Sequence, residues 1–451
     1  MKNGKKEVRF SKPFEDKVEG WIFLNGNVAT EYDLVQMFNE QIINPQHKDP
    51  QINKSKKVLL VTAAFQKGHE HHDHHLITMF EKLSIDPKWN GPYPQNIQNL
   101  SVYTMFTMFK EKEKWLYQKY TEKQDQIKAI KLDYLSKNND YVRIVHSLTH
   151  ELQEKYPELS LYDFYYFHEK YEKFPEFTEE STIERLENLK ILSRNKYDLE
   201  KCKEIKETLD HLIYKDEEIF SICAHIEDFF LEKSGIKNCT YYKEQRADLN
   251  ERIKSSASIF IFGGRVYVLV NRLRFYQLHE FFKEALKNGT NIYGISAGAI
   301  CQTEKFSLNF EEFSVGGYLR AADIGMGLVK NLFVFPHAND YKYIMEADRN
   351  YLSFFTLRQK NGVVVGLSQK SVLLCEKYKD PIDGKIYSRF SSVGEEPVLV
   401  FGERGIRYDL EKFDQIFMPG TKFYINRNQI ARAHEIEEIE KDYYKRINLL
   451  S

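Results

Sequence analysis

Short apolar runs that read as buried strands fall into two blocks of this chain, and the stretch between them, from about Leu76 to Phe230, holds almost none and a single glycine, Gly91. The first block has Trp21–Leu24, closed by Asn25-Gly26-Asn27, and Val58–Val61, closed by Thr62-Ala63-Ala64. The second has Cys239–Tyr242, Ser258–Phe262, Asn291–Ile295, Leu332–Phe335, Val363–Leu367 and Ser371–Cys375. Apolar runs of this length, bounded by Gly or polar residues, suit strands buried on both faces. Helical spacing alternates with them, notably over Tyr267–Asn288. Such alternation predicts an α/β fold: a mainly parallel sheet with helices on both faces. The strand-poor stretch carries Lys, Glu, Leu, Ile and Tyr at helical spacing, as in Ile183–Leu192 and Cys202–Ile213. It reads as a large all-helical insertion over 81–234, splitting an α/β domain into 18–80 and 235–425. Pro397–Phe401 and Gly405–Tyr408 extend that domain as a short β-rich tail, and 426–451 reads as a charged terminal helix.

Composition excludes several classes. A chain of 451 residues is longer than a single core usually serves, which fits the insertion. Lys and Arg number 65 against 66 Asp and Glu, so no broad field invites nucleic acid. No apolar run is long enough to cross a membrane, and the start MKNGKKEVRFSKPFEDK has no signal-peptide core. The five cysteines form no CxxC pair and read as packed, reduced thiols, an expectation of a cytoplasmic protein. Cys301 among them is expected to pack inward from a helix.

Gly294-Ile295-Ser296-Ala297-Gly298 carries the sharpest chemistry. It follows one apolar run and precedes another that can open a helix. A nucleophile on such a strand-to-helix turn needs a strained backbone and small neighbours. The helix start beyond it offers free N–H groups to a developing negative charge, so the Ala297 amide is a natural oxyanion donor. Gly263-Gly264 closes the run Ser258–Phe262, and a double glycine there lets backbone amides approach a ligand. Neither motif is unique to enzymes: each also suits an ordinary tight turn.

A serine nucleophile needs a base. Of the 14 histidines, His337 stands just past Leu332–Phe335, at another strand end. An acid to orient it is expected nearby, at Glu311, Glu312 or Asp323. Gly26, Ala63, Gly263, Ile295 and Pro336 are therefore expected along one edge of one sheet. The segment Gly68–His75 packs five histidines and two acids. His71 with His74 or His75 can share a helix face and hold a metal ion, although a solvated polar loop explains the segment as well. No metal or other cofactor is otherwise called for.

Taken together, Gly263-Gly264, Gly294-Ile295-Ser296-Ala297-Gly298-Ala299 and Gly325-Met326-Gly327-Leu328 leading to His337 resemble peptidase family S51, which includes dipeptidase E and cyanophycinase. Trp21–Gly26 and Val58–Ala64 resemble its first two strands, and Val364–Glu376 and Pro397–Tyr408 its late ones. The resemblance implies a flavodoxin-like fold of the class I glutamine amidotransferase kind and a metal-free serine mechanism. It implies Ser296 as nucleophile, His337 as base, Glu311 or Glu312 as acid, and the Gly264 and Ala297 amides as the oxyanion hole. Arg265, which follows the glycines where the family usually carries Asp-Gln or Asn-Thr, and Arg349 are implied near the substrate, while Gln369 replaces a customary acidic residue.

These features predict a serine peptidase or amidase acting on a small peptide or amide through an acyl-enzyme. The alternative is a binding or sensor module in which the helical insertion recognises a protein partner or a second copy of the chain; the Arg265-Val266 change favours it. An α/β-hydrolase esterase fits less well, because His337 follows Ser296 too closely. Neither nucleic acid nor membrane is an expected partner.

Overall fold

The computed structural model describes residues 19–26, 38–64, 96–167, 183–308, 321–330, 332–338, 354, 357–358, 363–379, 386–401, 415–417, 422–426 and 429–432. Its central element is a nine-stranded mixed sheet. The strands, in chain order, are β1 (Ile22–Asn25), β2 (Val58–Val61), β3 (Ile97–Asn99), β4 (Ser258–Ile261), β5 (Asn291–Ile295), β6 (Lys305–Leu308), β7 (Ala321–Ile324), β8 (Leu332–Pro336), β9 (Val363–Leu367), β10 (Val372–Lys379), β11 (Ile386–Ser392), β12 (Val398–Phe401), β13 (Gln415–Phe417), β14 (Lys422–Asn426) and β15 (Gln429–Arg432). Five of them, in the order β3-β2-β4-β5-β1, run parallel. Antiparallel β10, β11, β14 and β15 continue the sheet beyond β1.

The apolar runs at the centre of β1, β2, β4 and β5 follow from burial on both faces. Alternate residues separate into two cores. Leu24, Leu59, Ile259 and Ile292 join one; Phe23, Leu60, Phe260 and Tyr293 join the other. Phe23, Tyr293 and Phe260 are register partners across β1, β5 and β4. Their rings stack with centroids 4.8 and 4.2 Å apart. Cross-strand aromatic pairs of this kind fix register as well as adding buried area.

Helices cover both faces as expected. Val266–Phe275, Leu278–Lys287 and Thr240–Lys254 pack on the first core, and Phe38 and Ile42 on the second. The helical spacing over Tyr267–Asn288 belongs to two helices, separated at Gln277, whose φ is 54°. Cys239–Tyr242, read as a strand, instead leads into a helix. Tyr242, Gln245, Leu249 and Ile253 are its buried residues, a spacing of three to four that a window of four residues cannot reveal.

The helical insertion is present, with tighter bounds than 81–234. Ile97–Asn99 pairs with β2, and Val102–Lys112 packs Val102 and Phe109 into the main core, so both belong to the α/β unit. The excursion proper is two long antiparallel helices, Lys114–Lys155 and Lys196–Lys233, with Leu161–Tyr165 and Ile183–Leu192 between them. Asn195 caps the second long helix, its side chain accepting from the Tyr197 and Asp198 amides. The pair is bound to the α/β unit as well as joined to it in sequence. Lys131 Nζ lies 2.5 Å from Asp323 on β7, and Lys305 Nζ 2.6 Å from Glu217. Buried Arg358 donates to both Asp216 oxygens, at 2.9 and 2.6 Å, and to the Tyr134 hydroxyl at 2.9 Å. Pairing of this kind offsets the desolvation of a buried guanidinium, and stripping it of a partner is strongly destabilising.

Two further expectations need correction. The terminal helix over 426–451 does not begin there: Gln429–Arg432 pairs antiparallel with Lys422–Asn426, where aromatic and branched Phe423, Tyr424 and Ile425 favour a strand. Residues 433–451 lie outside the described residues. The second correction concerns Pro336. It ends β8, which belongs to a separate four-stranded sheet, β13-β12-β9-β8, rather than to the edge shared by Gly26, Ala63, Gly263 and Ile295. The antiparallel pair β6-β7 makes a third sheet. Among the described residues no helix is long and apolar enough to cross a membrane.

Candidate active site

Ser296 stands between β5 and the short helix Ala297–Ile300 with φ 54° and ψ −116°, outside the regions an L-residue prefers. The glycines on either side explain how the turn closes. A Cβ on Gly294 would lie 2.2 Å from Gln302 Nε2 and 2.6 Å from the Gly298 carbonyl oxygen. A Cβ on Gly298 would lie 1.9 Å from the carbonyl oxygen of Ile261 on β4. That neighbour is backbone in the middle of the sheet and cannot swing away. Gly298→Ala is therefore expected to destabilise the fold by about 3 kcal/mol or more, the upper range for overpacking. A thermal melt checks this, and an unchanged midpoint would mean the helix does not pack against β4 in this way.

His337 lies just past β8, also with positive φ, 58°. Its Nε2 is 2.7 Å from Ser296 Oγ. Strained non-glycine backbone at both members of one hydrogen-bonded pair is uncommon, and such strain persists where surrounding structure enforces it. The two residues come from different sheets, so their meeting depends on how β8 and β9 dock beside β1.

Glycine also defines the other wall. A Cβ on Gly263 would sit 3.0 Å from Ser296 Cβ and 3.3 Å from its Oγ, so the strand end after β4 abuts the serine. Gly264 follows with φ 123°, and a Cβ there would meet Ala64 Cβ at 2.7 Å. The carboxyl ends of β2, β4 and β5 thus converge on Ser296, as ligand sites in open α/β sheets do. Ala297 opens its helix, so its N–H has no acceptor within that helix. Arg265 is exposed next to Gly264.

Other candidates separate cleanly. Asp323 is committed to Lys131, not to His337. Glu311, Glu312, Arg349 and the histidines His71, His74 and His75 lie outside the described residues. Cys301 is fully buried with Sγ 3.2 Å from the Gly298 carbonyl oxygen, and burial pushes its thiol well above the usual range. It is a packing residue, whereas Ser296 at the turn itself is part-buried and reaches the His337 ring.

One participant escaped the sequence reading. Asn25, at the end of β1, accepts the Ser296 N–H on its carbonyl oxygen at 3.0 Å. Its side-chain Nδ2 donates to the carbonyls of Gln369 and Ser371, at 3.1 and 2.9 Å. The available signal was a polar residue ending an otherwise apolar run, which also fits a simple turn.

Residues 220–379, which include Ser296 and His337, match the model of peptidase family S51. No curated protein matches the chain. A solved structure of a peptidase from an acI-B1 Actinobacterium is similar with a TM-score of 0.40 and 12% identity, over 90% of this chain and 97% of that one.

Proposed function

We propose that this chain, with its S51 peptidase segment, is a serine-nucleophile hydrolase that cleaves a small peptide or amide through an acyl-enzyme. The 2.7 Å contact between Ser296 Oγ and His337 Nε2 carries the reading, together with the strained turn that presents the serine. Ser296 Oγ attacks the scissile carbonyl while His337 Nε2 takes its proton. The oxyanion that forms receives the Gly264 and Ala297 amides. His337 then gives the proton to the leaving amine as the C–N bond breaks. Water, deprotonated by the same imidazole, hydrolyses the ester and frees Ser296. Glu311 or Glu312 is the carboxylate that orients His337. Arg265, exposed beside Gly264, suits an anionic group on the substrate, with Arg349 in the same role.

An acyl-enzyme partitions between water and added nucleophiles, which gives a direct test. Incubation with a panel of short peptides plus hydroxylamine is expected to yield the acyl hydroxamate of the amino-terminal product, at the expense of the free acid. Cleavage that produces only free acid at every hydroxylamine concentration would mean that water attacks the substrate directly and that no acyl-enzyme forms.

A further inference from the structure

The reaction needs Ser296 and His337 at hydrogen-bond distance, yet they sit on different sheets, and what sets their separation is not part of either residue. Among the described residues, a run of contacts joins them through Asn25. The carbonyl oxygen of Asn25 holds the Ser296 N–H at 3.0 Å. Its Nδ2 holds the carbonyls of Gln369 and Ser371, in the turn that joins β9 to β10, at 3.1 and 2.9 Å. Gly26, the next residue, lets that turn come closer still: a Cβ there would lie 2.1 Å from the Leu367 carbonyl oxygen and 2.3 Å from that of Ser368. Leu367, at the end of β9, accepts the N–H of Ala338 at 3.0 Å on that same carbonyl. Ala338 is covalently bonded to His337. From nucleophile to base the path runs through hydrogen bonds, close backbone approach and the chain itself, with Asn25-Gly26 between the serine turn and the β9–β10 turn.

Resting on the serine-hydrolase reading, we propose that Asn25 is a positioning residue that sets the distance between Ser296 and His337. Its burial supports this. Asn25 is 1% exposed, and among the described residues its Oδ1 has no hydrogen-bond partner. An unpaired buried acceptor costs stability, and it is retained here because the opposite amide orientation would turn that oxygen onto two carbonyl oxygens. The side chain is therefore locked in one orientation by the turn it grips. Asparagine is suited to this: its backbone holds the serine turn while its short side chain offers two N–H donors to the turn that leads from β9 into β10.

Asn25→Asp keeps the shape and replaces the donors with an oxygen facing two carbonyls; Asn25→Ala removes them. Both are to be compared with the natural chain in saturable labelling by a fluorophosphonate, below every melting midpoint. The maximal labelling rate is expected to fall about tenfold to a hundredfold, the range that follows from misplacing reacting groups by about an ångström. The half-saturating probe concentration is expected to stay within twofold. Val142→Ala, a deletion in the distant helical core, is expected to lower the midpoint without changing either value. Maximal rates unchanged in folded Asn25 variants would overturn the proposal while leaving Ser296 as the nucleophile. Failure of the natural chain to label would instead overturn the hydrolase reading. If one variant does not fold, the other decides. Collapse of both, and of Asn25→Ser, would overturn positioning in favour of a purely structural role.

Discussion

Ser296→Ala is expected to lower turnover by about six orders of magnitude, the loss seen when the nucleophile of a serine hydrolase is removed. The residual rate should still exceed that of uncatalysed hydrolysis, because binding and the Gly264 and Ala297 amides remain, but no second nucleophile shares the turn. Cys301 is the nearest chemical substitute in sequence, but it is buried and held as a thiol. The fold should survive the change. Ser296 needs its strained backbone whether or not it carries an oxygen, and the glycines that allow the turn are untouched. Alanine at φ 54° retains a strain the serine already bears. Equal melting midpoints with turnover lost would separate chemistry from folding; turnover within tenfold of the natural chain would place the nucleophile elsewhere.

His337→Ala is expected to be nearly as severe, again about six orders of magnitude, because nucleophile and base act as a unit. The two losses should not add: Ser296→Ala and His337→Ala combined should be no slower than either alone. The alanine variant also leaves room beside Ser296 Oγ in a partly exposed position. Added imidazole is therefore expected to restore part of the rate in proportion to its concentration, and to do nothing for Ser296→Ala. Rescue of both variants, or a double mutant far slower than the singles, would contradict a shared proton-transfer step. The proposed acid, Glu311 or Glu312, is tested in the same way. Only one of two adjacent carboxylates is expected to hold the imidazole, so Glu311→Gln and Glu312→Gln should differ strongly.

Much of this arrangement was legible in the sequence, for identifiable reasons. β2 and β5 could be read because parallel strands covered on both faces are apolar without interruption. The serine turn could be read because its geometry forbids side chains at Gly294 and Gly298. β3 could not: it is three residues long at the edge of the sheet, with one buried position. β11 was hidden by Arg389, which looks like a surface residue but is buried against Glu376, its register partner on β10. Pairing of that kind is a property of two strands and leaves no mark on either alone. The same holds for the site. Ser296 and His337 each carried a local signal. Their meeting across two sheets, and the part of Asn25 in it, depend on β9 ending where β1 ends, a contact between residues hundreds of positions apart.

Labelling with a fluorophosphonate, followed by mass mapping of the modified peptide, tests the central claim most directly, because the probe reacts with an activated serine and needs no knowledge of the substrate. A single adduct on Ser296 is expected, lost entirely in Ser296→Ala and slowed greatly in His337→Ala. An adduct on another residue, or labelling of Ser296→Ala at the rate of the natural chain, would contradict it.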